Sequence, residues 1–441
     1  MVLLKNIKNI FLIPELVKKI LFTFFVLIVF RIGSFIPVIG INSHLLADYM
    51  KRQTTLGGLL QYLDIFSGGS LQYCTLFALG IGPYITASIM MQLLSMSVPA
   101  LEQLSKDGDY GRKVINQYTR YLAAILSVGY SLAYAFSLEA ANVSTPGLLL
   151  YSGLSFKFLF TLSMTVGCIF VMWLSEQISL FGIGQGSSMI IFAGIIAKFP
   201  DSIIRIIYSV QTGSIGITTA FLILAIFIFV AGCIVFLEKG DRKIPVQYAR
   251  RIIGQRVYGG QNTYIPFKIN TAGIMPVIFA SSVLNVPLFL IGILSDKFGA
   301  FKWLAEALNR GLLYNALDFA LIIMFSYVYT AIQFNPAELA ENMKKSGGFI
   351  LGIRPGKKTA DYFDYILNRI GLIGAIYLGV LAVLPNILQL VFSIPFPMGG
   401  TSLLIIVGVA LETSAQIEAY LIENKYEGFL PSGSRLKSRT S

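Results

Sequence analysis

Runs of about 20 apolar residues recur from one end of this chain to the other, and a segment of that kind has few ways to fold in water. They fall at Ile20–Ile39, Cys74–Val98, Tyr118–Leu138, Phe156–Leu174, Ser187–Ile207, Gly216–Leu237, Ala272–Leu294, Leu312–Phe334, Ile370–Phe392 and Thr401–Ile422. Each is long enough to cross a hydrocarbon core as a helix. The expectation is an all-α membrane protein of ten transmembrane helices, five in each half, with both ends on one side. With 55% of its residues apolar and 13% charged, the chain is excluded from the soluble globular class. The first run follows Lys5, Lys8, Lys18 and Lys19 like a secretory leader, but it lacks a small-x-small cleavage site and carries Arg31, so it reads as a retained span.

The net charge of +12 would suggest nucleic acid in a soluble protein. Here the lysines and arginines lie between the apolar runs, on alternate loops. Counted by side, the loops that share the N-terminus hold about three basic residues for each one opposite, which places both termini in the cytoplasm. Two of these cytoplasmic loops are long, 238–271 and 335–369. In the first, Tyr248, Val257, Tyr258 and Tyr264 alternate with arginines and glycines, the pattern of a strand pair projecting from the membrane. In the second, Gly352-Ile353-Arg354-Pro355-Gly356 reads as a tight turn with one arginine at its tip.

A nine-residue pattern, G-I-x-P-x-I-x-A-S, occurs at Gly80–Ser88 and again at Gly273–Ser281. Glycine and proline weaken a helix and are tolerated in lipid only where neighbours or a cavity satisfy the freed backbone groups. A matched pair of such interruptions, one per half, points to an internal repeat with the working site at its interface. In each copy the isoleucines, Ile81 and Ile85 or Ile274 and Ile278, are four residues apart and share a helix face. Between the first two spans, Ile65-Phe66-Ser67-Gly68-Gly69-Ser70-Leu71 is apolar but too short to cross. It is either a surface loop or a segment that re-enters from the outer side into a cavity made by protein.

Little in the chain suggests reaction chemistry. Cys74, Cys168 and Cys233 have neither disulfide nor zinc spacing, and His44 is the single histidine, so no catalytic group, metal or cofactor is expected. Gly182-Ile183-Gly184-Gln185-Gly186-Ser187-Ser188 lacks the lysine and the preceding strand of a phosphate-binding loop and reads as a helix entry. An intramembrane hydrolase finds no histidine pair or G-x-S-x-G elbow. An ion-coupled secondary transporter would share the inverted repeat and broken helices, but it usually places carboxylates at the midplane. Here Asp318 and Glu176 lie close to span ends, while Arg31 and Glu412 are deeper and fit buried structural pairs or pore-bordering groups.

A run of ordered motifs carries a family resemblance. Phe30-Arg31-Ile32-Gly33-Ser34-Phe35-Ile36-Pro37, Phe66-Ser67-Gly68-Gly69, Ala78-Leu79-Gly80-Ile81, Gln117-Tyr118-Thr119-Arg120 and Trp173-Leu174-Ser175-Glu176-Gln177 with Gly182-Ile183-Gly184 are similar to segments of the bacterial SecY family of protein-conducting channel subunits. So are Lys344-Lys345-Ser346-Gly347, Gly352-Ile353-Arg354-Pro355-Gly356 and Gly399-Gly400-Thr401-Ser402-Leu403-Leu404, and the similarity runs from the first span to the last.

The resemblance implies two inverted five-helix halves, 1–210 and 211–441, forming a clamshell around an hourglass channel, with a lateral gate to lipid. It implies a constriction lined by Ile81, Ile85, Ile191, Ile278 and Ile405, and a plug over about 64–73 that includes Asp64, Ile65, Phe66, Ser67, Gly68, Gly69 and Ser70. A collar of branched aliphatic side chains offers a passing peptide no fixed hydrogen-bond partner, and when narrow it excludes water. Arg242, Lys243, Arg250, Arg251, Arg256 and Arg354 would meet the ribosome or the SecA motor ATPase, since arginine forks bind phosphate and carboxylate bidentately. The small membrane subunits SecE and SecG, signal sequences, nascent or secretory polypeptides and membrane lipid complete the implied partners. The chain itself would be no enzyme, its energy coming from the motor or the ribosome, and its home the bacterial inner membrane. Two departures stand out: Ser187 replaces a bulky aliphatic one turn before Ile191, and Gly254-Gln255-Arg256 has one basic residue where two adjacent ones are usual.

Overall fold

A computed structural model of the chain describes residues 13–43, 45–46, 67–151, 153–213, 216–248, 251–253, 256–258, 262–284, 311–392 and 399–427. It divides into two compact units, one of Met1–Arg52, Leu63–Ala197 and Val409–Ser441, the other of Gln53–Tyr62 and Lys198–Gly408.

The first unit is helical. Helix α1 (Pro14–Gly33) begins with proline at its first position, where the missing N–H costs nothing, and its last turn carries Arg31. Helix α2 (Gly82–Ser97) is followed by α3 (Pro99–Lys106) at an angle of 101°. Pro99 sets that corner, because the residue before a proline is pushed out of the helical region and Val98 is extended at φ −105° and ψ 113°. Helices α4 (Gly108–Ser144), α5 (Leu154–Phe181) and α6 (Gly186–Gln211) follow, α6 crossing into the second unit. A Cβ at Gly186 would collide with the Ser175 carbonyl, so glycine there lets the α6 entry lie directly on α5.

The second unit holds α7 (Ile217–Lys239), the strands β1 (Asp241–Tyr248), β2 (Arg251–Ile253), β3 (Arg256–Tyr258) and β4 (Asn262–Lys268), then α8 (Met275–Leu284) and α9 (Leu312–Gln333). It continues with α10 (Pro336–Lys345), the short strand β5 (Gly348–Phe349) and α11 (Lys357–Phe392), and α12 (Gly400–Glu427) returns to the first unit from Val409 onward. Asn335 caps α10, its side chain accepting from the amides of Ala337 and Glu338, while Lys344 and Lys345 complement the dipole at the other end.

The strand pair expected in loop 238–271 is present, β1 running antiparallel to β4 from Asp241–Lys268 to Gln247–Asn262. The structure adds a third strand from the other long loop: β5 pairs with the far end of β1 through Gln247–Phe349 and Tyr248–Gly348. A two-residue strand carries no periodicity of its own, which is why the sequence does not announce it. Ile244 and Val246 alternate inward from β1 and pack with Phe267, Met343, Phe363 and Ile366 in one apolar core.

Among the described residues, six helices are long and apolar enough to cross a membrane, or seven if the bent α2–α3 pair counts as one span. Helix α1 reaches 20 residues but carries Glu15, Lys18, Lys19 and Arg31. The run expected from Ala272 to Leu294 is described as helix only over Met275–Leu284, and its remainder lies outside the described residues.

Several helices extend past the apolar runs, but two fall well short of them. Helix α1 ends at Gly33, six residues before the apolar run does, and the second span begins at Gly82 and not at Cys74. The apolar residues on either side of these ends serve a buried irregular segment instead. Hydrophobicity reports removal from water and does not distinguish a helix from packed turns.

Candidate functional site

The irregular segment is residues 67–81, built from consecutive turns. The Ser67 carbonyl accepts the Ser70 amide at 3.4 Å, Ser67 Oγ accepts the Leu71 amide at 3.2 Å, and the Leu71, Ser70, Thr75 and Phe77 carbonyls accept from Cys74, Thr75, Ala78 and Gly80. Gly68 and Gly69 lie at φ +68° and +94°, where a Cβ would be strained. Ser67, Gly68, Ser70, Leu71, Cys74 and Thr75 are buried. Non-helical backbone at such a place requires protein to satisfy its polar groups. The first unit does so: Val38 and Leu76 exchange backbone bonds with Cys74 and Ile36, and Tyr134 of α4 donates its hydroxyl to the Leu71 carbonyl at 3.2 Å.

Close backbone approaches complete the seat. A Cβ on Gly167 of α5 would collide with the Leu76 carbonyl, and one on Gly33 with the Phe77 ring, which stacks on Phe30 at 5.9 Å. A Cβ on Gly68 would come within 2.9 Å of the Gly194 Cα on α6. Arg31 Nη1 donates to the Gly68 carbonyl at 2.9 Å. Of the stretch 65–71, Ser67, Gly68, Ser70 and Leu71 are buried and Gly69 is half-buried, against a plain surface loop, while Tyr73 beyond it is exposed; Asp64, Ile65 and Phe66 lie outside the described residues.

Each copy of the repeated pattern is a helix start. Gly80 and Gly273 are left-handed at φ +55° and +62°, and in each case a helix opens two residues later, with proline at its second position in Gly82-Pro83 and Met275-Pro276. The isoleucine spacing becomes the first helical hydrogen bond: the Ile85 amide donates to the Ile81 carbonyl at 3.1 Å, and the Ile278 amide to the Ile274 carbonyl at 3.3 Å. Ile81, Ile85, Ile191, Ile278 and Ile405 are all buried, from 0% to 9% exposed. Within the first unit Ile191 stands one turn before Gly194, the glycine against which Gly68 is pressed, and Ser187 one turn earlier is half-buried. Within the second unit a Cβ on Gly408 of α12 would collide with Ile274, so α12 lies directly against the second copy.

The loop sheet presents the basic residues. Arg242 and Lys243 are exposed on β1. Arg354 is exposed between Gly352 and Gly356 at φ +81° and +104°, and its carbonyl accepts from the buried Thr359 hydroxyl at 2.9 Å, which ties the turn to the start of α11. Arg250 lies outside the described residues, and Arg251 and Arg256 are described only as backbone in β2 and β3.

Of the charges within or bordering spans, Glu176 of α5 pairs with Arg120 of α4 at 2.7 Å. Glu412 is exposed, so a buried pair does not describe it. Asp318, set aside by sequence for lying near a span end, is fully buried, and neither carboxylate oxygen has a hydrogen-bond partner among the described residues. Its position in the second turn of α9 gave no sign of burial, which neighbouring helices impose. Among the described residues no group of three or more His, Cys, Asp or Glu side chains could hold a metal ion.

Apolar helices long enough to span, with a buried irregular segment seated among helices of the first unit, define a class: a multi-pass helical membrane protein with non-helical backbone packed inside it. The SecY family model matches residues 75–414. Protein translocase subunit SecY of Aquifex aeolicus is 43% identical over 428 residues, covering 96% of this chain and 99% of that one. Two solved structures share the fold across 95% of each chain. One, at TM-score 0.62 and 19% identity, is of SecY and its plug domain, reported to stabilise the closed state of the translocation channel and maintain a membrane seal. The other, at 0.59 and 18%, is Sec61 in the canine ribosome-channel complex from the endoplasmic reticulum.

The chain belongs to the SecY family. It is a multi-pass membrane subunit of a protein-translocating channel, and not an enzyme by family. That membership sets aside the secondary-transporter reading.

Proposed function

We propose that this chain is the central pore-forming subunit of a bacterial preprotein translocase, passing unfolded polypeptides across the inner membrane and releasing transmembrane segments sideways into lipid. The observation that carries this reading is the buried segment 67–81, folded as turns and held by α1, α4, α5 and α6 of the first unit. Buried turns at that place are costly unless they have a use, and closing a channel is one. Residues 64–73 would form the plug, and Ile81, Ile85, Ile191, Ile278 and Ile405 the constriction beneath it. Branched aliphatic side chains suit that position because they hold back water and ions yet give a sliding peptide nothing to bind.

In this reading ten spans form two inverted halves, 1–210 and 211–441, and both termini are cytoplasmic. Six or seven of the spans are supported by length and composition in the described helices, and the basic loops support the orientation. The cytoplasmic sheet and the Arg354 turn would receive the ribosome or the SecA motor, which supplies the energy, through Arg242, Lys243 and Arg354 together with Arg250, Arg251 and Arg256 of the same loop sequence. The exposure of Arg242, Lys243 and Arg354, and the tied backbone of the Arg354 turn, suit recognition of phosphate or carboxylate surfaces. SecE and SecG would brace the assembly within the membrane.

Cysteine crosslinking to a stalled secretory chain tests the pore. Single cysteines replacing Ile85 or Ile278 are expected to capture the translocating polypeptide, and a cysteine at the exposed Phe229 of α7 is not. Capture from Phe229 alone would overturn the assignment.

A further inference from the structure

The geometry points to Arg31 as the residue that latches the buried segment shut, an inference that rests on reading this segment as a plug. An arginine at the end of an apolar helix, its fork turned onto protein, needs a partner there. This one stands in the last turn of α1, half-buried, with its guanidinium 4.6 Å from the centre of the Phe35 ring and its Nη1 2.9 Å from the Gly68 carbonyl. The ring fixes the direction of the fork, and the carbonyl receives a charge-assisted hydrogen bond, about twice as strong as a neutral one.

The chosen carbonyl is the one that matters for seating. Gly68 is the residue pressed against Gly194 of α6, so Arg31 holds from one helix the point that abuts another. The two consecutive left-handed glycines, Gly68 and Gly69, give the backbone the turn it makes there. Beyond Gly68 the Thr75 hydroxyl donates to the Ser70 carbonyl at 3.2 Å from within the segment, and the Tyr134 hydroxyl to the Leu71 carbonyl at 3.2 Å from α4, both neutral bonds. Arg31 therefore gives the first described turn a charge-assisted hold from α1. Losing it frees that turn without disturbing the helix packing that keeps the unit folded.

The test uses the complete translocation complex in planar bilayers and in vesicles. Arg31→Met keeps the aliphatic stem and removes the donors; the open fraction of the resting channel, read as ion conductance, should rise roughly tenfold or more. Arg31→Lys, which keeps a charge but not the planar fork, should restore part of the seal, and Phe35→Leu, which removes only the ring, should leak less than Arg31→Met. A variant lacking residues 67–71 should conduct strongly, and adding Arg31→Met to it should change nothing further. If the deletion itself fails to raise conductance, the plug reading fails. If the deletion leaks but Arg31→Met and Phe35→Leu both stay sealed, the latch is wrong while the plug stands. An equal increase from Arg31→Met with and without the segment also overturns the latch. Should Arg31→Met fail to accumulate, Arg31→Lys and Phe35→Leu decide the matter by the same readout.

Discussion

Gly80 and Gly273, one in each compact unit, hold nearly the same left-handed backbone, at φ +55° and +62°, and each precedes a helix that opens with a proline at its second position. The repeated sequence is thus a repeated local structure, in which the glycine reverses the chain and the proline starts the helix. Among the described residues a side chain at Gly273 would meet no atom within 4 Å, and one at Gly80 only ordinary contacts with Ser67. Alanine at either site should therefore cost backbone strain alone, roughly 1–2 kcal/mol each. Thermal unfolding of the purified single variants measures this, and a difference of several kcal/mol between the two sites would show that their equivalence is superficial.

Arg354→Glu should abolish polypeptide translocation while the protein still inserts and accumulates. The side chain is exposed and makes no packing contribution that charge reversal would destroy. Thr359→Val should act more mildly at the same place. It removes the 2.9 Å bond to the Arg354 carbonyl, worth about 0.5–1.5 kcal/mol, and so loosens the turn without touching the arginine. Translocation by membrane vesicles that carry the protein should fall to roughly a third to a tenth for Thr359→Val. Full export in Arg354→Glu would remove the turn from the partner surface.

The core beneath the loop sheet gives a separate prediction. Phe363 of α11 is fully buried with its ring 5.6 Å from that of Phe267 on β4. Truncation to alanine should cost about 3–5 kcal/mol locally and release the sheet from the helix. Limited trypsin digestion should then cut within 241–268 much faster than in the parent protein, while cleavage elsewhere is unchanged.

Asp318 should be a net destabiliser of the isolated chain. Both carboxylate oxygens are buried without a hydrogen-bond partner among the described residues. Leucine there removes two unsatisfied acceptors and keeps the branched shape at a larger volume, so Asp318→Leu should raise the melting temperature in detergent, by a free energy of about 1–3 kcal/mol. A lowered melting temperature would mean that the carboxylate is held by a group that the described residues do not include.

The long loops were legible in part. Tyr248, Val257, Tyr258 and Tyr264 alternating with arginines and glycines were enough to expect a strand pair in 238–271, though not to say which residues pair. The pairing of Gln247 with Phe349 was not, since β5 has two residues and its partner lies a hundred positions away. At the candidate site the residues of 67–81 were visible as apolar and too short to cross, but burial is a property of what surrounds them. Gly167, Gly194 and Gly33 form that surrounding, and nothing in their own neighbourhoods announces the backbone each must approach.

By itself the sequence determined that this chain lives in a membrane, where its helices run, which loops carry the positive charge and which family it resembles. These follow from local quantities: the free energy of moving side chains out of water, the backbone limits of glycine and proline, and the order of short motifs. Only the tertiary structure decided that Arg31 reaches the Gly68 carbonyl, that Gly68 rests on Gly194, and that two separate loops share one sheet and one core. Those contacts join residues far apart in the chain, and their energies exist only once the intervening helices have packed.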